Sequence, residues 1–162
     1  SDKKNYYIIE PSPKYMPSNI MGALACAQLD RIDELISKKR KIRDRYLHNI
    51  DPSQYNYHSI SDTDEHLNGA WATTMVMKNN QFNVNKFITY MNNFSIPIRP
   101  FFYPLTSMKG YRKYARGEQD NIYKNCNLVS SKGFTLPSHY KITDSQIDYI
   151  SEKIIDFFEK LL

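Results

Sequence analysis

An arginine next to aromatic residues is the part of this sequence best suited to chemistry. The stretch IPIRPFFYPL, residues 96–105, places Arg99 beside Phe101, Phe102 and Tyr103. A guanidinium offers fixed bidentate donors to an anion, and aromatic rings offer flat surfaces to the apolar faces of a sugar. Chemistry alone favours the simpler alternative, in which the phenylalanines are core residues and Arg99 pairs with an acid at the surface.

The common catalytic motifs are absent from the sequence. It contains no GxGxxG, P-loop, GxSxG or HExxH pattern. One loop combines His58 and His66 with acids at 62, 64 and 65, but this spacing fits no defined metal geometry. We therefore predict neither a metal site nor a catalytic residue.

The net charge of +5 arises from 22 basic and 17 acidic residues. The basic excess is concentrated at 37–46 and 109–117, which is compatible with a nucleic-acid surface. Acids interleaved along the first run favour a solvated helix face instead. We therefore expect no nucleic-acid partner.

Cysteine usage and hydropathy bear on the compartment. Cys26 and Cys126 belong to no CxxC or Cys/His pattern, so we interpret them as reduced thiols, either buried or incidental. The sequence has no apolar run near the roughly 20 residues that cross a bilayer, and its start lacks the apolar core of a signal peptide. These features predict a soluble, cytoplasmic protein with no membrane partner.

The N-terminal third is predicted to be an arm followed by one long helix. Prolines at 11, 13 and 17 favour an extended arm or linker over residues 1–17. Ser18 or Asn19 can cap a helix that continues to Ile50, apolar and small-residue-rich at first and amphipathic later. The apolar positions at three- and four-residue steps, interrupted by Lys39 and Arg43, are Leu29, Ile32, Ile36, Tyr46 and Ile50.

The remainder predicts a small α+β layer. A polar loop at 51–69 precedes a strand at 70–77 and a helix capped by Asn83. A second strand is confined to a sheet edge or a strand end by its prolines, and an irregular segment separates it from a strand at 133–137. Thr143 and Gln146 form a capping box for the last helix. The fold class is therefore α/β (α+β), with few strands covered by helices on one side.

Three segments in order resemble the C-terminal region of the DegT/DnrJ/EryC1/StrS family of pyridoxal-phosphate-dependent sugar aminotransferases. They are KYMPSNIMGALACAQLDRIDELISKKRKIRDRY, IPIRPFFYPLTSMKGYR and GFTLPSHYKITDSQIDYISEKI, and together they cover most of residues 14–158. The resemblance implies that 18–162 is the small C-terminal domain of a fold-type I aminotransferase, with a long interdomain helix at its start.

The resemblance also implies an activity and its partners. Such enzymes are homodimers that bind pyridoxal 5'-phosphate and transfer an amino group from glutamate to a keto-sugar nucleotide. In the family the cofactor-binding lysine lies in a large domain upstream, and no lysine here matches that segment. We therefore expect this chain alone to be inactive and not to hold the cofactor by itself.

The family's binding residues map onto two groups of positions. By resemblance, Lys14, Tyr15 and Ser18 lie in a loop that reaches the cofactor phosphate of the partner subunit. Likewise, Arg99, Tyr103 and Thr106 lie in the segment that lines the entrance for the sugar nucleotide.

Two positions depart from the family's pattern. Met16 stands where members usually have Asn or Arg, and Thr106 stands where many have His. Loss of a polar group at position 16 removes a hydrogen bond to phosphate or substrate. The departures indicate either different binding in this branch or lost activity.

Two other classes of function remain open at this point. The chain could be a non-catalytic domain, either truncated or free-standing, that dimerises through the apolar start of helix 18–50. A basic nucleic-acid binder using residues 38–45 and 109–116 is the third alternative, and salt-dependent binding to a duplex would distinguish it.

Overall fold

The computed structural model describes residues 7–115 and 122–161. Three predicted features therefore extend beyond the described residues. These are the N-terminal arm at residues 1–6, the basic run 109–117 at residues 116 and 117, and the predicted domain at its last residue, Leu162. Within the described part, the strands are β1 (Tyr57–His58), β2 (Thr74–Met77), β3 (Arg99–Pro100) and β4 (Gly133–Thr135). The helices are α1 (Asn19–Leu29), α2 (Ile32–Asn49), α3 (Pro52–Tyr55), α4 (Val84–Asn92), α5 (Lys124–Lys132) and α6 (Asp144–Glu159).

The strands form an antiparallel sheet in the order β1-β2-β4-β3. Strand β3 lies at an edge, where Arg99 pairs with Thr135 and Pro100 with Phe134. An edge tolerates Pro100 because a proline has no N–H to give to a further strand. The edge position predicted from the prolines is confirmed.

One face of the sheet carries the hydrophobic core. Met75 and Phe134 are paired neighbours on this face, and both are fully buried. Phe87 of α4 packs on Phe134 with ring centroids 4.7 Å apart, and α2 and α6 complete the same layer. The other buried apolar residues of these three helices are Ile42, Tyr46, Met91, Ile147, Ile150, Ile154 and Phe158. The mixed α/β class is confirmed, and α2, α4 and α6 cover the core face of the sheet, whereas α5 lies against the other face.

The predicted single helix from 18 to 50 is wrong in one respect. It is divided into α1 and α2, because Arg31 leaves helical geometry with φ −125° and ψ 22°. The predicted apolar stripe divides at the same place. Tyr46 and Ile50 are buried, whereas the stripe residues on the N-terminal side of Lys39 are exposed.

Several shorter elements also differ from prediction. The predicted loop 51–69 contains α3 and β1, and the segment predicted to be irregular contains α5. The predicted strand 70–77 begins only at Thr74 because Ala70 adopts φ 49° in a turn. In that turn the Asn68 side-chain oxygen accepts the Ala70 N–H at 2.9 Å.

The predicted helix starts are confirmed. Ser18 Oγ accepts the Met21 N–H at 3.4 Å, and Asn83 caps α4. At α6, Gln146 N–H donates to Thr143 Oγ1 at 3.2 Å and Thr143 N–H donates to Gln146 Oε1 at 3.0 Å. None of the described helices combines the length and hydrophobicity that crossing a bilayer requires.

Candidate functional site

Arg99 lies in an apolar cleft of about 470 Å³ on the side of the sheet away from the core. Its guanidinium carbon is 5.2 Å from the centre of the Phe102 ring, within range of a cation–π contact. Tyr103 lies next in the same wall and meets the Tyr7 ring edge-on at 5.6 Å. The aromatic residues that follow β3 therefore turn outward and form a surface, rather than entering the core.

Two other elements complete the apolar cleft. Trp71, just before β2, is 75% exposed and borders it, while Thr74 and Thr135 form its floor. The two threonines are paired neighbours on β2 and β4. Side chains alternate along a strand, so these threonines face away from the core residues Met75 and Phe134.

Helix α5 forms the opposite wall of the apolar cleft, through Cys126, Val129 and Ser130. The Ser130 hydroxyl donates to the Phe102 carbonyl at 2.8 Å and fixes the start of the aromatic segment. Gly133 ends α5, and a Cβ there would come within 2.4 Å of the Phe101 ring. Glycine at 133 is therefore what allows the aromatic segment to pack so closely.

The chemistry available in the apolar cleft is binding rather than catalysis. Its described lining combines aromatic and aliphatic groups with one permanent cation, Arg99, and includes no Asp, Glu or His. Such a lining suits a flat ring attached to an anion, because the ring is desolvated against aromatic faces while the guanidinium meets the charge.

The predicted site residues are only partly brought together. Arg99 and Tyr103 share the apolar cleft, but Thr106 does not line it and instead lies in a short 3₁₀ turn, Leu105–Ser107. The Tyr15 side chain is 90% exposed, and Ser18 caps α1. Lys14, Tyr15 and Ser18 are likewise absent from the described lining of the apolar cleft.

Sequence reasoning missed part of this region. Trp71 falls within the predicted strand 70–77, and its exposure beside Arg99 has no local sequence signal. The arm was predicted only to be extended, yet Tyr7 OH donates to the Ser107 carbonyl and accepts the Lys109 N–H, both at 3.1 Å. The Tyr7 side chain thus packs against the segment that follows the cleft.

The polar loop that could suggest a metal site contains an ion-paired carboxylate instead. Asp62 accepts from Arg40 at 2.6 Å and from Arg43 at 3.2 Å, and it also accepts the Asn68 N–H at 2.7 Å. These donors, led by Arg43, hold the pKa of Asp62 far below its ordinary value. Among the described residues no group of three potential metal ligands comes together.

The three arginines of the first basic run form ion pairs within the chain. Besides Arg40 and Arg43, Arg45 binds Asp148 of α6 at 2.5 Å. These contacts agree with the prediction of a helix face balanced by acids. Both cysteines are exposed free thiols, so the alternative that they are buried is wrong.

Comparison with known proteins identifies the family. The model of the DegT/DnrJ/EryC1/StrS aminotransferase family matches residues 1–155. A GDP-perosamine synthase from Vibrio cholerae is 28% identical over 157 residues, which are 96% of this chain and 41% of that protein. A second GDP-perosamine synthase, from Escherichia coli O157:H7, is 29% identical over 89% of this chain and 37% of its own length. The chain thus spans about two fifths of the length of these relatives.

Solved structures share the fold. A protein described as a sugar aminotransferase from Streptococcus pneumoniae, in its PMP form, superposes with a TM-score of 0.76 at 24% identity, over 96% of this chain and 38% of that one. An E. coli GDP-4-keto-6-deoxy-D-mannose-3-dehydratase with bound hydrated PLP gives 0.61 at 17% identity, over 94% and 40%. With the family model matching nearly the whole sequence, this chain belongs to the DegT/DnrJ/EryC1/StrS aminotransferase family.

Proposed function

We propose that this chain is the C-terminal part of a pyridoxal-phosphate-dependent enzyme that transfers an amino group from glutamate to a keto-sugar nucleotide. The observation that carries the proposal is the family match over residues 1–155, because it spans the cleft that contains Arg99. Residues 1–17 are the arm and 18–162 the small domain. The large domain with its cofactor lysine would lie in the remaining part of a longer protein, so the chain alone would be inactive.

Within this proposal, Arg99 and Tyr103 hold the sugar nucleotide. The guanidinium supplies charge-assisted donors to an anionic group, and the rings of Phe102 and Tyr103 exclude water from the flat part of the substrate. We assign Thr106, in the 3₁₀ turn that follows Tyr103, to the entrance for the sugar nucleotide. Its hydroxyl is shorter than the histidine side chain of many relatives, so a substrate would have to approach more closely to bond to it.

Pyridoxal phosphate, when bound, supplies the electron sink for amino transfer. Lys14, Tyr15 and Ser18 offer one cation and two hydroxyls from an exposed surface, a donor set that fits a phosphate. The Ser18 oxygen already accepts the Met21 N–H, which leaves its hydroxyl hydrogen free to donate. We assign these residues to the cofactor phosphate of a partner subunit in a cytoplasmic homodimer.

The exposed helix α1 supports such an assembly. It has no buried residue, although Ile20 and Leu24 are large and apolar. The same observation favours the alternative function, a non-catalytic module that dimerises through α1. The two functions differ in whether a cofactor-binding domain accompanies this chain.

The intact mass of the natural gene product, with an absorbance scan for bound pyridoxal phosphate, separates the two functions. A product clearly heavier than this 19.1 kDa chain, with bound cofactor, supports the aminotransferase. A colourless 19.1 kDa product would support the non-catalytic module and contradict the proposed function.

Kinetics of the complete enzyme test the role of Arg99. We expect Arg99→Ala to raise the KM for the keto-sugar nucleotide by about tenfold or more, because one charge-assisted contact is lost. Arg112→Ala is the matched control, since Arg112 is exposed and does not line the cleft. Equal KM values for the two variants would show that Arg99 does not bind the keto-sugar nucleotide.

A further inference from the structure

Tyr7 joins the N-terminal arm to a segment 100 residues away in sequence. Its hydroxyl donates to the Ser107 carbonyl and accepts the Lys109 N–H, both at 3.1 Å. A hydroxyl can donate once and accept as well, so a single oxygen atom makes both bonds. We call residues 7–11 the clasp and residues 104–111 the turn segment.

The backbones of the clasp and the turn segment also approach closely at Gly110. The Gly110 N–H donates to the Ile8 carbonyl at 3.3 Å. A Cβ at position 110 would lie 3.0 Å from Cδ of Pro11 and 3.2 Å from the Ile9 carbonyl oxygen. Both separations are shorter than the optimal contact between non-bonded heavy atoms, so a side chain at this position would push the clasp away.

Neither segment contributes a side chain to the hydrophobic core formed by the sheet with α2, α4 and α6. Met108 of the turn segment is nevertheless only 3% exposed. The bonds within the turn segment are short-range, such as Met108 N–H to the Leu105 carbonyl at 3.1 Å and Tyr111 N–H to the Met108 carbonyl at 3.0 Å. Segments outside the core have low local stability, so contacts with the clasp can decide whether these turns stay formed.

We propose that the clasp orders the turn segment, and that Tyr7 is thereby a positioning residue for substrate binding. The Ser107 carbonyl held by Tyr7 directly follows Thr106, and the Tyr7 ring packs edge-on against Tyr103 with centres 5.6 Å apart. Tyr7 therefore contacts the chain on both sides of Thr106. The inference rests on the proposed function, which assigns Tyr103 and Thr106 to the sugar nucleotide, and deepens it by adding a residue that acts through them.

Hydrogen exchange at individual backbone amides tests the clasp without reference to activity. Tyr7→Phe keeps the ring and removes the hydroxyl. We expect the amides of Met108, Lys109 and Tyr111 to exchange about fivefold faster or more in this variant, because the loss of two hydrogen bonds favours local opening. Only the Lys109 amide is bonded to Tyr7 itself. Faster exchange at Lys109 alone would overturn the inference, as would unchanged exchange at all three.

Tyr149→Phe is the matched control for Tyr7→Phe. Tyr149 is 44% exposed on α6 and belongs to neither the clasp nor the turn segment. We expect this variant to leave exchange in the turn segment unchanged. Equal acceleration by both variants would indicate a general loss of stability and would overturn the inference.

Gly110→Ala tests the clasp through a different contact. The added methyl leaves the Tyr7 hydroxyl in place but would lie too close to Ile9 and Pro11, so we expect faster exchange at Met108. Gly22→Ala is the control, because no heavy atom lies within 4 Å of a Cβ at position 22 apart from the neighbouring backbone. Equal exchange at Met108 in the two variants would contradict the close approach of the clasp.

Kinetics of the complete enzyme test the positioning role. We expect Tyr7→Phe to raise the KM for the keto-sugar nucleotide about fivefold and to leave kcat unchanged, because weaker positioning of Tyr103 and Thr106 affects substrate and transition state alike. A purely structural role for Tyr7 would lower the amount of folded enzyme, and hence the apparent kcat, at constant KM. That result would remove Tyr7 from substrate binding.

Failure of the proposed function can be told apart from failure of the clasp. If the natural gene product does not transaminate while Tyr7→Phe still accelerates exchange at Met108 and Tyr111, the proposed function fails and the clasp stands. If it transaminates while exchange is unchanged in Tyr7→Phe, the clasp fails and the proposed function stands.

Discussion

Helices α1 and α2 follow each other with only two residues between them, yet their environments are opposite. The more apolar helix, α1, has no buried residue, whereas the highly charged α2 buries Ile42, Arg43 and Tyr46. Helix α2 packs against α6 and bonds to the loop before β2, while α1 meets no comparable partner in the described residues. Burial therefore follows the availability of a complementary surface, not the hydrophobicity of a helix alone.

The strongest test of this comparison is a pair of truncations. Ile42 of α2 is 1% exposed, so Ile42→Ala should lower the free energy of unfolding by about 2–5 kcal/mol through lost burial and a residual cavity. Leu24 of α1 is 62% exposed, and Leu24→Ala should change the free energy of unfolding by less than about 0.5 kcal/mol. Urea unfolding measures both, and similar losses would show that α1 is packed in this chain.

Helix caps provide a smaller contrast. Thr143→Ala removes half of the capping box of α6, a packed helix, and should cost about 1 kcal/mol of global stability. Ser18→Ala removes the cap of α1 and should fray that helix without moving the global urea midpoint. A shift of the midpoint by Ser18→Ala would mean that α1 unfolds together with the core.

The pH dependence of the α2 ion pairs is the third and smallest contrast. The pKa of Asp62 is lowered on folding, mainly by Arg43, from an ordinary value of 3.8. The stabilisation of the folded state by the Asp62 carboxylate is therefore complete above about pH 4. It is lost as the pH falls further, because this carboxyl group binds a proton more readily in the unfolded chain.

Asp62→Asn tests that dependence. The variant should be less stable than the wild type at pH 7, and the difference should shrink below pH 4. Asp30→Asn, at the end of α1, is the control, because no hydrogen bond or ion pair is found for its side chain among the described residues. A stability difference for Asp62→Asn that stays constant from pH 7 to pH 2 would contradict the role of the charged pair.

Local signals predicted much of the fold. The capping box at Thr143 and the periodic apolar residues of α6 act within a few turns of chain, so the sequence is sufficient to place them. The prolines around β3 predicted an edge strand for an equally local reason, the missing N–H. The break at Arg31 and the short strand β1 lack such signals and depend on contacts with distant residues.

The candidate site was predicted in part for the same reason. Arg99 and Tyr103 are neighbours in sequence, so their shared surface was visible from their types. The positions at 14, 15 and 18 were assigned by resemblance and remain a prediction, as does Thr106. Lys39 and Trp71 join Arg99 only through folding, since 28 to 60 residues separate the three positions.

The sequence by itself determined the family, the mixed α/β class, the helix starts and the chemistry of the aromatic segment around Arg99. Each of these depends on residue types in consecutive positions, where sterics, capping and hydrophobic periodicity act locally. Only the tertiary structure decided that the segment faces away from the core and that Lys39 of α2 and Trp71 lie beside Arg99. Those relations arise from the antiparallel pairing of β2, β4 and β3, which places residues distant in sequence next to one another.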